Sequence, residues 1–102
     1  MAENDHEITE EGKTYIRVFG TLYDSMQRCI EDGIKPSMPR DSVVDVMSEA
    51  FGKDGVENAL QSMLLDRCIV IDKAGWIQLT LRGTMLGKQI SDTRKAYAAS
   101  LN

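Results

Sequence analysis

The sequence predicts a mainly α-helical domain carrying one small antiparallel β-hairpin, and three observations predict it. Apolar residues recur at three- and four-residue spacing through most of the chain, the mark of helices with one buried side. One short region breaks that rhythm: Cys68-Ile69-Val70-Ile71 and Trp76-Ile77-Gln78-Leu79, rich in β-branched residues, flank a polar turn that closes on Gly75. At 102 residues with 42% hydrophobic side chains, the chain suits one core and one domain. Two strands alone are marginal in water, so helices must cover at least one face of the hairpin.

Taken in order, residues 1–12 (MAENDHEITEEG) offer few apolar groups to bury and read as a flexible acidic tail. From Lys13 to Asp32, Ile16, Phe19, Tyr23, Met26 and Ile30 step by three or four, with Tyr15, Leu22 and Cys29 widening the stripe. That spacing predicts a long amphipathic helix with Thr14 as its candidate cap and Gly33 as its stop. Gly20 inside it costs about 1 kcal/mol against Ala, which points to a close helix contact there. Pro36 and Pro39 deny a regular helix to residues 34–40 and leave an extended connector able to add a short edge strand to the hairpin. Asp41 or Ser42 then caps a helix over 42–51, with Val43, Val46, Met47, Ala50 and Phe51 on one side. Its valines lower helix propensity, but the spacing does not alternate as a half-buried strand requires.

Gly52-Lys53-Asp54-Gly55 links this helix to the next through a tight turn, as in a helix-turn-helix. The same residues fail as a nucleotide-binding loop, because Asp54 stands where Ser or Thr is needed and Met47 where the first Gly belongs. Asp54-x-x-Glu57 is a capping-box pattern, and Val56, Leu60, Met63 and Leu64 follow at helical spacing as far as Arg67. The hairpin comes next. Thr80 then caps a last helix through Met85, Leu86 and Ile90. Beyond it Leu86, Ile90, Tyr97 and Leu101, with Thr93 between, keep a near-heptad spacing. A small core cannot cover so long a segment, so residues 91–102 are expected to extend the helix into a self-association contact.

The formal charge of -4 is unevenly spread. Glu3, Asp5, Glu7, Glu10 and Glu11 sit in the first 11 residues with no Lys or Arg, so 11 acids face 12 bases from Gly12 onward and the body carries +1. The N-terminus lacks the basic-then-apolar pattern of a signal peptide, and no run approaches the roughly 18 apolar residues of a membrane span. A cytoplasmic protein is the expectation. Cys29 and Cys68 lie in apolar patterns and His6 in the tail, without CxxC or HxxxH spacing, so buried free thiols and no metal or cofactor are expected. Nor does any nucleophile stand beside a base in a motif, which argues against an enzyme.

Three helices, the second and third joined by a tight turn, then a hairpin and a return helix, resemble the winged helix-turn-helix family of DNA-binding domains over about residues 14–90. The most specific piece runs from Asp66-Arg67-Cys68-Ile69-Val70-Ile71 to Gly75-Trp76-Ile77-Gln78-Leu79-Thr80-Leu81-Arg82-Gly83, where a Leu-Thr-x-x-Gly step caps the helix after the wing. The resemblance implies a winged-helix domain over 13–90, with Asp54 to Arg67 as recognition helix and Asp72 to Trp76 as wing. On that implication Lys53, Asn58 and Gln61 enter the groove, Lys35, Arg40 and Lys73 meet phosphates, and Ile90, Tyr97 and Leu101 form a dimer contact. A small homodimeric transcription regulator binding duplex DNA is the function implied. The alternative is a winged-helix adaptor for a protein partner, with Leu65 and Trp76 as apolar anchors.

Overall fold

The computed structural model describes residues 9–100. Its elements run α1 (Glu10–Glu31), β1 (Met38–Pro39), α2 (Arg40–Phe51), α3 (Lys53–Leu65), β2 (Ile69–Ile71), β3 (Trp76–Leu79) and α4 (Leu81–Ser100). The strands form one antiparallel sheet in the order β1-β3-β2. Ile69 pairs with Leu79 and Ile71 with Ile77 in the hairpin, while Met38 and Pro39 lie opposite Ile77 and Trp76. The expected edge strand therefore forms, and Pro39 fits there because an edge position need not donate to the ladder.

α1 starts earlier than the expected cap at Thr14. The Thr9 hydroxyl accepts from Gly12 N–H at 3.0 Å, and Glu10 and Glu11 fall in the first turn, where carboxylates favour the helix dipole. The boundary expected after residue 12 thus lies inside a helix. The buried face is also rotated from the predicted stripe: Val18, Phe19, Leu22, Tyr23 and Met26 are buried, Ile16 is half-buried, and Ile30 is 54% exposed. Ile30 sits in the last turn of α1. Gly33 ends α1 as expected, with φ +74 and the paired bonds Gly33 N–H to Ile30 O and Ile34 N–H to Cys29 O.

Arg40 opens α2 directly after the β1 pair, so neither Asp41 nor Ser42 serves as its cap; Pro39 holds that position without a side-chain bond. Val43, Val44 and Met47 face the core, whereas Val46 is 75% exposed and Ala50 is exposed. A single residue, Gly52 at φ +80, separates α2 from α3, and the expected Asp54–Glu57 capping box gives way to this glycine as N-cap. α3 stops at Leu65, two residues before the predicted end. Arg67 takes φ +61, its N–H bonding Leu64 O at 3.1 Å while Cys68 N–H bonds Met63 O at 2.8 Å, the double closure of a helix end that glycine usually makes.

The core joins α1, α2 and α3 to the inner side of the sheet, with Phe19, Leu22, Met26, Leu60, Met63, Ile69 and Ile77 nearly inaccessible. Each such side chain contributes about 1.5–3 kcal/mol by burial, which is what anchors a hairpin too short to stand alone. α4 crosses α1 through small residues. A Cβ at Gly87 would lie 2.7 Å from the Tyr23 ring, one at Gly20 2.4 Å from Arg94 Nη1, and one at Gly83 1.9 Å from the Cys68 carbonyl oxygen. The close contact expected at Gly20 is therefore present. The buried Ser91 hydroxyl donates to Asp24 Oδ1 at 2.8 Å and closes the same seam. Among the described residues no helix is long and apolar enough to cross a membrane.

Candidate nucleic-acid interface

α3 is held from behind and left open in front. Val56, Ala59, Leu60 and Met63 pin its inner face to the core. Asp54, Asn58, Gln61 and Leu65 share the opposite stripe at helical spacing, and all four are exposed. Lys53, also exposed, stands at the start of the helix. The three groove residues expected from the sequence are thus on accessible positions of one element.

The electrostatics of that face are mixed. From Arg40 to Arg67 three cations stand against six carboxylates, Asp41, Asp45, Glu49, Asp54, Glu57 and Asp66. Arg40, expected to meet phosphate, lies 3.8 Å from both the Glu57 and the Asp41 carboxylates, distances too long for strong pairing but enough to claim part of its field. Its backbone N–H also bonds Gly75 O at 2.8 Å, tying the start of α2 to the β2–β3 turn. On the other flank of α3 a groove of about 190 Å³ runs against α1, with Glu10, Glu11, Thr14 and Tyr15 opposite Asn58 and Ser62. Two carboxylates near Asn58 repel a backbone phosphate there.

Tyr15 fixes the floor of this region. Its hydroxyl donates to Asp66 Oδ2 at 3.0 Å and its ring meets Phe19 edge-on at 5.7 Å. Burial, and then the hydrogen bond and charge of Asp66, push the Tyr15 phenol well above its ordinary range. It stays protonated and clamps the end of α3 to α1. Sequence spacing gave no sign of this bond, because its partners are far apart in the chain.

The β2–β3 turn is built by Asp72, whose Oδ1 accepts from Ala74 N–H and Trp76 N–H, each at 2.9 Å. Gly75 at φ +85 completes it. Lys73 is exposed at the tip, and Lys35, exposed in the connector, lines a groove with Trp76 on the same side of the sheet. The remaining predicted residues divide. Ile90 packs half-buried against the core, 3.1 Å from the position a Gly20 Cβ would take, so it is largely spent on its own subunit. Tyr97 is 67% exposed, and Leu101 lies outside the described residues.

Cys29 and Cys68 are free thiols, the latter buried. Among the described residues no group of three or more His, Cys, Asp or Glu side chains is placed to hold a metal ion. No protein-family model matches this chain, and no curated protein or solved structure matches it either.

Proposed function

We propose that this chain is a winged-helix domain that binds duplex DNA as a homodimer, with α3 as the recognition helix and the β2–β3 turn as the wing. The observation that carries the reading is the exposure of Lys53, Asn58 and Gln61 along a helix whose opposite side is locked in the core. Asn and Gln grip adenine edges, and Lys grips guanine or phosphate. The order of helices and strands, with the extra strand closing the sheet as β1-β3-β2, supports it. The acidic excess of α2 and α3 sets a limit: one protomer has few phosphate contacts, so two must act together. α4 supplies a means, since residues 92–100 stay helical but exposed, with Tyr97 among them.

Fluorescence anisotropy with random-sequence duplex at low and at physiological salt tests the reading. Affinity that falls steeply with salt, and falls further in Lys53→Glu, is expected. The second reading, a protein-binding adaptor, draws on the same acidic excess and on Leu65, 75% exposed at the end of the outward stripe of α3. Absence of duplex binding at low salt selects it.

A further inference from the structure

Away from α3, the far side of the sheet carries an exposed indole next to two cations. Trp76 is the one tryptophan in the chain and is 41% exposed at the start of β3. Its backbone is fixed on both sides, the N–H bonding Asp72 Oδ1 at 2.9 Å and the carbonyl accepting from Asp72 N–H at 3.0 Å. Trp76 lines a groove of about 350 Å³ with Ala74 and with Ile34, which is 61% exposed. Ile34 follows the glycine that ends α1, a position whose side chain usually folds back on its own helix; here it is left as one wall of the groove. Lys35 lines the same groove and Lys73 projects from the adjoining turn. Among the described residues neither lysine is in an ion pair, unlike Lys13, Arg40 and Lys88. The one carboxylate lining the groove, Asp72, accepts the two N–H groups of its own turn on Oδ1 and keeps its charge.

We propose that this groove binds an unpaired base of a single-stranded nucleic acid, stacked on Trp76 between Ile34 and Ala74, with the adjacent phosphates on Lys35 and Lys73. An indole offers a π-face to any base, and base–aromatic stacking with cations tracking the backbone is the chemistry by which single strands are held without sequence preference. Charge complementarity favours a polyanion, since the two unpaired ammonium groups outnumber the single carboxylate and leave the groove a net charge of +1. A base inside an intact duplex cannot present its face to a side chain in this way, so the site discriminates for unpaired strands. Its residues lie off α3, but Lys35 and Lys73 are also the phosphate contacts of the duplex reading, so the two are separated through Asn58 and Gln61, which belong to the duplex reading alone.

Trp76 reports on its own occupancy. Titrating the full chain with a short oligothymidylate while following tryptophan fluorescence should give saturable quenching, with an affinity that falls with salt at a logarithmic slope of about -1.4 for two phosphate contacts. Trp76→Ala should weaken the same oligonucleotide about tenfold or more by anisotropy, Trp76→Phe should retain most of the binding, and Lys35→Gln with Lys73→Gln should remove the salt dependence. Circular dichroism checks that each variant folds; if Trp76→Ala does not, Trp76→Phe and the lysine pair carry the test. No quenching at low salt overturns the proposal. Equal quenching by a duplex of the same length in the Asn58→Ala, Gln61→Ala variant, where duplex held by α3 no longer brings the wing onto DNA, overturns it too, as does equal competition by an acidic peptide, which would assign the groove to a protein ligand. Asn58→Ala and Gln61→Ala, which should weaken duplex binding, should leave the quenching by oligothymidylate unchanged, which tells failure of the single-strand site from failure of the α3 reading although both use Lys35 and Lys73.

Discussion

Arg67 shows how one residue can carry backbone strain for the sake of a junction. It adopts φ +61 to let α3 turn into β2, and its carbonyl accepts the Thr80 hydroxyl at 2.6 Å, joining the end of one helix to the start of another. A side chain in the left-handed region costs roughly 1–2 kcal/mol, which glycine avoids, while the greater entropy it gives the unfolded chain offsets part of that gain. Arg67→Gly is therefore expected to raise stability by about 0.5 kcal/mol, read as a higher urea midpoint with an unchanged slope. Tyr15 makes a pH-dependent contribution of the opposite kind. Its phenol is harder to ionise folded than unfolded, so the folded state keeps a proton that the unfolded state releases above the ordinary tyrosine pKa of about 10. The stabilisation is complete below that pH and is lost as pH rises through the folded value. Urea unfolding at neutral and at strongly alkaline pH should show a smaller alkaline loss in Tyr15→Phe than in the parent.

At the level of elements, α4 depends on what its inner face lacks. Gly83, Gly87 and Ser91 are one helical turn apart and buried, while Leu81 and Met85 on the outer side are 79% and 63% exposed. A methyl at position 83 would collide with the Cys68 carbonyl, which is already bonded to Thr80 N–H at 3.0 Å and cannot yield without opening the sheet-to-helix corner. Gly83→Ala should cost about 1–3 kcal/mol, although alanine is the better helix former; a gain in thermal midpoint would show that the corner is plastic. Thr80→Ala removes a different support of the same corner, the bond from Gly83 N–H to Thr80 Oγ1 at 3.0 Å, and should cost about 1 kcal/mol. The cap at Thr80 is legible in the sequence because capping is local. The seam is not, because glycine at those positions signals weakness to a propensity argument and only the neighbouring backbone turns it into a requirement.

For the whole molecule, the consequence lies in how surface is divided between the subunit and its partners. Ile90 is drawn into the α1–α4 seam, leaving Tyr97 as the exposed member of the near-heptad set among the described residues. If the proposed dimer forms through the end of α4, light scattering should give twice the monomer mass, and Tyr97→Asp should return the monomer with its circular dichroism intact. Loss of the dimer in Ile90→Ala would be less telling, because that change also loosens the packing against Gly20.

Helical periodicity, the Gly33 stop, the Thr80 cap and the hairpin on Gly75 are all set by interactions within a few residues, and the sequence determined them; the two prolines made residues 34–40 extended, but the edge strand there forms only by pairing with β3, far along the chain. The rotation of the buried face on α1, the opening of α3 on Gly52 and the left-handed Arg67 depend on which helices meet and at what distance. So do the tie between Tyr15 and Asp66, the groove under Trp76 and the carboxylates beside Arg40 and Asn58. Those were decided by tertiary structure, because close packing and long-range charge depend on separation in space, and no local pattern records it.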